Sequence, residues 1–121
     1  MAAHKPIPIF DGHNDTILDL YNNGQGSRRS FFEESEVGHI DLPRARNGGL
    51  GGGFFALFTP TGAGEPDSAT TTPSSGGMPA RMAQLDYRRA IDFTMGMAAY
   101  LFQLERESDG EIAIVRTVDE L

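Results

Sequence analysis

The residues best suited to chemistry lie close together near the start of the chain, in Asp11-Gly12-His13-Asn14-Asp15. Alternate residues of an extended chain point to the same side, so His13 and Asp15 can face one site with Asp11 behind them. An imidazole and a carboxylate in this arrangement can bind one divalent metal ion, and zinc suits both ligands. The alternative is a polar loop in which Asp15 caps a helical turn and His13 is an ordinary surface residue, because His-x-Asp is a short and common pattern.

A second His-x-Asp pattern, His39-Ile40-Asp41, provides a comparison. No apolar strand precedes it, and Asp41 is well placed to cap a helical turn that contains Pro43 and ends at Gly48. We therefore expect Asp41 to act as a helix cap and His39 to lie away from the first pair.

The first pattern needs a strand to position it, and the apolar residues 7–12 predict one. A second apolar run without alternation, residues 53–59, is typical of a strand in a parallel sheet, and residues 112–115 predict a third strand. The glycines at 51–53 are interpreted as the entrance to the second strand. A nucleotide-binding loop would instead follow a strand and open a helix.

Residues 80–107 predict a long helix with two neighbouring apolar stripes, and a helix of this kind is buried over a wide arc. Thr117 and Glu120 have the spacing of a capping box, which predicts the start of a further helix. Strands that alternate with helices indicate an α/β protein with a parallel sheet. We expect the following stripe residues to be buried: Ile91, Phe93, Met95, Met97, Leu101, Phe102 and Leu104.

Composition excludes several classes of function. The net charge is −7, no basic cluster is present, and the chain has no cysteine. Nucleic acid and membrane are therefore not expected as partners, and thiolate catalysis and sulfur-bound zinc are excluded. The N-terminus lacks the apolar core of a signal peptide, and no apolar window is long enough to span a membrane. We expect a cytoplasmic protein.

One stretch, residues 60–79, is rich in Gly, Pro, Ser and Thr and predicts a flexible loop. The predicted capping box lies within five residues of Leu121, and strands buried on both faces need more neighbours than three. We expect residues 1–121 to form the N-terminal part of one larger domain.

The order of these motifs resembles the renal (membrane) dipeptidase family, the M19 metallopeptidases. The resemblance rests on Asp11 to Asp15, His39 to Arg44, the glycine-rich entry to an aromatic strand at Gly51 to Phe58, the long helix, and Thr117 to Leu121. It covers essentially the whole chain and is loose over residues 22–36 and 60–79.

The resemblance implies the N-terminal portion of a (β/α)8 TIM barrel with two zinc ions at the carboxyl ends of its strands. By similarity, His13 and Asp15 are ligands of one zinc, and Asp11 either orients His13 or stabilises the turn. The other ligands and the catalytic aspartate are expected after Leu121, so the segment itself contains no catalytic residue.

The implied activity is zinc-dependent hydrolysis of dipeptides, including those with a D-residue at the C-terminal side, by a metal-activated water. Two alternatives stay open: a non-catalytic fragment, or another amide hydrolysis on the same kind of barrel. The implied partner is a small dipeptide, and a homodimer is an open alternative to a monomer.

Overall fold

The computed structural model describes residues 7–22, 29–60 and 86–121. Two strands and three helices lie in these ranges, followed by a short 3₁₀ turn at Val118–Glu120. In chain order they are β1 (Ile9–Asn14), α1 (Thr16–Asn22), α2 (Leu42–Asn47), β2 (Leu50–Phe55) and α3 (Tyr87–Glu107). The loop predicted at 60–79 lies outside the described residues apart from Pro60, and so do residues 80–85 of the predicted long helix.

The two strands pair in parallel, which confirms the predicted mixed α/β fold. Both are displaced from their predicted positions. β1 runs on through His13 and Asn14, and β2 contains the glycine run instead of following it. The glycines belong in the sheet because β1 side chains lie across them: a Cβ on Gly52 would be 3.0 Å from the ring of Phe10.

The register between the strands is irregular at two places. Its Cα partners are Ile9 with Leu50, Phe10 with Gly52, Asp11 with Gly53, and Asn14 with Phe55. β2 therefore carries one extra residue near Gly51, and β1 carries one extra residue between Asp11 and Asn14. The two irregularities cancel, so the sequence numbers of the paired residues differ by the same amount at both ends of the strand pair. Extra residues of this kind redirect nearby side chains, and His13 lies in the extra length of β1.

The predicted third strand is wrong for the described part of the chain, whose sheet has two strands. Side chains at the end of α3 take the backbone N–H groups that a third strand would use. The N–H of Ile112 donates to Ser108 Oγ at 3.0 Å, and the N–H of Ile114 donates to Glu105 Oε1 at 2.6 Å. Residues 112–115 are thereby held against the C-terminal turn of α3.

Helix α3 begins after Asp86, whose carboxylate accepts a hydrogen bond from the N–H of Arg89 at 3.1 Å. One of its two apolar stripes lies in the core, with Met97 and Leu104 buried and Phe93 and Leu101 partly buried. This stripe faces α1, and the core cluster is formed by Ile17, Leu20, Phe31, Met97 and Leu104.

The second stripe of α3 is exposed in the described chain, so the prediction that both stripes are buried is wrong for it. The exposed fractions are 42% for Ile91, 62% for Met95 and 50% for Phe102. The sheet is also incompletely covered, because Phe10 and Phe54 are exposed although their rings meet edge to face, with centroids 5.3 Å apart. These residues leave a substantial apolar surface without a partner in the described ranges. None of the helices described is long and apolar enough to cross a lipid bilayer.

The contact between α1 and α3 depends on a glycine in the middle of α3. The ring of Tyr21 meets Phe93 edge to face, with centroids 5.1 Å apart. Its hydroxyl lies over Gly96, where an added Cβ would overlap the hydroxyl and stand 2.8 Å from Tyr21 Cζ. Glycine at position 96 therefore provides the space that the tyrosine occupies.

We expect Gly96→Ala to destabilise the full-length protein by about 1–2 kcal/mol, because the added methyl overpacks a filled contact. Helix propensity alone would change stability in the opposite direction, by roughly 0.5–1 kcal/mol in favour of alanine. Urea unfolding of the wild type, Gly96→Ala and the double variant with Tyr21→Phe measures the effect, and the double variant should recover part of the loss. Ala99→Gly, at an exposed site on the same helix, calibrates the propensity. A gain in stability for Gly96→Ala would contradict this account of the contact.

Candidate metal centre

The turn between β1 and α1 is held by a chain of side-chain hydrogen bonds. Asn14 Nδ2 donates to Asp11 Oδ2 at 2.8 Å, and the N–H of Thr16 donates to Asn14 Oδ1 at 3.1 Å. The N–H of Asp19 donates to the carbonyl of Asp15 at 3.1 Å and starts the helix. The position of Asp15 is therefore fixed from both sides of the turn.

His13 and Asp15 lie side by side at the carboxyl end of β1. His13 Nε2 is 3.1 Å from Asp15 Oδ1, and the two side chains are 68% and 54% exposed. Two ligands bound to one tetrahedral zinc at 2.0–2.2 Å stand about 3.3–3.5 Å apart. The pair is close to the separation that a shared zinc ion requires, and both groups are open to an incoming ion. Their assignment as ligands stays a prediction.

Asp11 contacts Asn14 in this structure and has no hydrogen bond to His13 among the described residues. Within the same ranges, His13 is hydrogen-bonded to Asp15 alone. Asp11 thus stabilises the turn, which is one of the two roles expected for it, and its orientation of His13 stays a prediction.

The described residues do not bring a third ligand to this pair. No group of three or more His, Asp or Glu side chains able to hold a metal ion occurs within 7–22, 29–60 and 86–121. Zinc sites use three or four protein ligands, so His13 and Asp15 by themselves would make only part of one.

An open cavity of about 660 Å³ lies next to the pair. Its walls come from the start of α1 and from residues 29–41, which lead from α1 to α2 and are called the returning segment below. His39 also lines this cavity, which the sequence did not lead us to expect, but among the described residues it does not join His13 and Asp15 in a group able to hold a metal ion. The neighbours of His39 along the chain do not show where the returning segment passes. The lining residues are His13, Asn14, Asp15, Thr16, Asp19, Gly38 and His39.

Arg29 fastens this returning segment to α1. Its side chain is only 4% exposed. Its Nε and Nη2 donate to Asp19 Oδ2 at 3.0 and 2.7 Å, and its Nη1 donates to the carbonyl of Ile40 at 3.0 Å. A single guanidinium therefore joins the cavity-lining carboxylate of α1 to the backbone next to His39.

Gly38 is required at the closest approach. Its φ is 75°, a left-handed conformation that L side chains rarely adopt. A Cβ there would be 2.6 Å from both the Arg29 guanidinium and the Asp19 carboxylate. Only glycine lets the chain pass over this ion pair.

Asp41 is fully buried and is the N-cap of α2, which confirms the predicted cap. Its Oδ1 accepts from the N–H of Arg44 at 2.9 Å. Its Oδ2 accepts from Arg44 Nε at 2.6 Å and from the N–H of Ser35 at 3.1 Å. Burial by itself raises the pKa of this carboxyl, but these hydrogen bonds and the charge of Arg44 outweigh burial, and the pKa of Asp41 is lowered.

Sequence reasoning missed the roles of Asp19, Arg29 and Gly38 as well as the position of His39. The one signal was the presence of arginines in the connection between α1 and β2, which contains Arg28, Arg29, Arg44 and Arg46. It does not specify partners, because Arg29 and Asp19 are ten residues apart and meet only through the path of the loop.

Comparison with known proteins gives a match over the whole chain. The family described as Membrane dipeptidase (Peptidase family M19) matches residues 1–121. The structure resembles the crystal structure of dipeptidase AC, a metallopeptidase of family M19, with a TM-score of 0.72 and 33% identity over 96% of this chain and 32% of that one. It also resembles a metallopeptidase from Rhodobacter sphaeroides liganded with a phosphinate mimic of the dipeptide L-Ala-D-Ala, with a TM-score of 0.73 and 32% identity over 96% and 34% of the two chains.

Two curated relatives match a shorter stretch. An uncharacterised protein of Acinetobacter calcoaceticus is 44% identical over 57 residues, which are 46% of this chain and 18% of that protein. A dipeptidase of Aspergillus terreus is 35% identical over 57 residues, which are 45% of this chain and 13% of that protein. The chain therefore spans about a third of the solved relatives, and the matches to the curated proteins cover less than a fifth of their length.

We expect Asp41→Asn to destabilise the full-length protein by about 2–3 kcal/mol at pH 7, because the cap is weakened and Arg44 loses its carboxylate. The pKa of Asp41 is lower in the folded protein than its ordinary value of 3.8. Its charge therefore stabilises the fold fully above about pH 4, and the stabilisation is lost as the pH falls further towards the lowered pKa.

Urea unfolding at several pH values from 7 to 3 checks this, with Asp92→Asn on the exposed face of α3 as the control. The stability difference between the wild type and Asp41→Asn should shrink below pH 4. A difference that stays constant down to pH 3 would contradict a charged Asp41 in the fold.

Proposed function

Because the chain belongs to the membrane dipeptidase family, peptidase family M19, we propose that it is part of a metallo-dipeptidase. The observation that carries this proposal is the His13–Asp15 pair, with 3.1 Å between Nε2 and Oδ1, exposed beside a cavity at the carboxyl end of a parallel strand. Active sites of (β/α)8 barrels lie at this end of their strands.

Residues 1–121 are proposed to be the N-terminal part of a single barrel domain, with the remaining ligands after Leu121. Two observations support this. The similarity to solved M19 peptidases covers 32% and 34% of their chains. In addition, the second stripe of α3 and the face of the sheet around Phe54 are exposed here, which is the surface that further strands and helices of a barrel would cover.

The proposed cofactor is zinc, with two ions in the intact protein. His13 Nε2 and an Asp15 carboxylate oxygen would hold one ion, because the donor set suits zinc and the two atoms lie close to the separation of zinc ligands. When bound, zinc lowers the pKa of a water molecule and polarises the substrate carbonyl. The residues described here contribute the fixed position of these two ligands. Asn14 holds the backbone between them, since its amide bridges Asp11 and the N–H of Thr16.

The proposed substrates are dipeptides, including those with a D-residue at the C-terminal side. Support comes from the Rhodobacter sphaeroides relative, whose structure contains a phosphinate mimic of L-Ala-D-Ala. A cavity of about 660 Å³ has ample room for a molecule of this size.

We expect His13→Ala and Asp15→Ala in the full-length protein each to lower kcat/KM for L-Ala-D-Ala by at least about 100-fold. Loss of a group that supports a metal ligand already costs roughly 10–100-fold, and loss of the ligand itself should cost more. Zinc content, measured by mass spectrometry of the purified proteins, should fall in parallel.

Asp92→Ala is the matched control, since Asp92 is an exposed carboxylate on α3, away from the cavity. Circular dichroism should show that all three variants keep the wild-type fold. Full zinc content and activity in His13→Ala would rule out the assignment of the metal ligand. A wild-type protein that binds zinc but hydrolyses no dipeptide would rule out the proposed substrate class.

A further inference from the structure

His39 is an exposed residue on a backbone that is held firmly on both sides. The carbonyl of Gly38 accepts from Arg44 Nη2 at 3.2 Å, and the carbonyl of Ile40 accepts from Arg29 Nη1 at 3.0 Å. The two residues that flank His39 are therefore each fixed by a guanidinium group, and His39 itself projects from the wall of the cavity.

Each of these arginines is fixed in turn by a carboxylate. Arg29 is paired with Asp19, and Arg44 is paired with the fully buried Asp41. Ordering two long cationic side chains costs conformational entropy, and removing their charges from water costs solvation energy. A network of this kind is more than an ordinary surface histidine needs, which points to a function for the position of His39.

Four of the other polar side chains of the cavity lining already have a partner. Asn14 is bonded to Asp11, Asp19 is bonded to Arg29, and His13 is bonded to Asp15. His39 makes no hydrogen bond to another described residue, so its ring is available to a ligand.

The composition of the wall favours one end of a dipeptide. Asp15 and Asp19 are the ionisable acids among the lining residues, but Asp19 is paired with Arg29 and Asp15 is one of the two proposed zinc ligands, so neither counts as an uncompensated charge. The lining includes neither lysine nor arginine, so a substrate carboxylate would find no cationic side chain on this wall. A neutral imidazole nitrogen can accept a hydrogen bond from an ammonium.

We propose that His39 binds the α-ammonium group of the dipeptide substrate by accepting a hydrogen bond from it. This inference rests on the proposed dipeptidase function. His39 acts in binding and leaves the hydrolytic step to the metal site, so its removal weakens the binding of the substrate without slowing the bound complex.

The test compares wild type, His39→Ala and His39→Gln in the full-length, zinc-loaded protein, with L-Ala-D-Ala as substrate. His39→Ala should raise KM about ten-fold, the effect of losing one hydrogen bond to a charged group, and kcat should change less than two-fold. His39→Gln, which retains an acceptor, should recover part of the loss. Zinc content and thermal stability should match the wild type. Glu34→Ala, an exposed residue of the same segment outside the cavity lining, is the control.

Two competitive inhibitors identify the group that His39 binds. Both are phosphinate mimics of L-Ala-D-Ala: one lacks the amino group, and the other has its terminal carboxylate replaced by an amide. The inhibition constant of the first should be the same for wild type and His39→Ala, and that of the second should rise about ten-fold in the variant.

The opposite pattern would place His39 at the carboxylate and overturn the proposal. If the wild-type protein is active and KM is unchanged in His39→Ala, the proposal for His39 is overturned and the proposed function stands. A wild-type protein without dipeptidase activity would overturn it together with the proposed function.

Discussion

A carboxylate from which water is excluded must be satisfied by protein donors, and Asp41 imposes this condition on the whole connection between β1 and β2. Its oxygens accept from the backbone of Ser35, from the first turn of α2, and from the guanidinium of Arg44. Arg44 then reaches the carbonyl of Gly38. Because these partners come from before and after Asp41, the segment can adopt only paths that bring them together. The cavity wall and the start of β2 follow from that path.

The parts of the fold that the sequence predicted well are those whose causes are local. His13 and Asp15 are two residues apart at the end of a predicted strand and do lie side by side, and a cap followed by Pro43 predicts α2. The parts that were missed depend on partners distant in sequence. His39 reaches the cavity only because Arg29 and Asp19 meet across ten residues, and residues 112–115 lose their strand pairing to side chains of α3. Strand boundaries were displaced because glycines in β2 accommodate side chains of β1, which no pattern within β2 reveals.

The described residues bury only one of the two apolar stripes of helix α3. Both apolar stripes are present in the sequence, yet α1 covers only the stripe that contains Met97 and Leu104. The stripe with Met95 and Phe102 remains in contact with solvent. Burying a side chain of this size is worth roughly 1.5–3 kcal/mol, so this surface represents several kcal/mol of stabilisation that the described residues do not obtain by themselves. This energy is available to the rest of the proposed barrel.

The two irregularities of β1 and β2 are separate in space, so each could be removed without disturbing the other. If one residue were deleted from β1 near Gly12, the stretch from Asp11 to Asn14 would pair residue for residue with Gly53 to Phe55. The sheet would become regular at that point, and the direction of His13 would change, because His13 lies where the extra residue is accommodated. A deletion in β2 near Gly51 would make the pairing regular at the other end and leave Asn14 opposite Phe55. Of these two changes in length, only the one near Gly12 would alter the geometry of the His13–Asp15 pair.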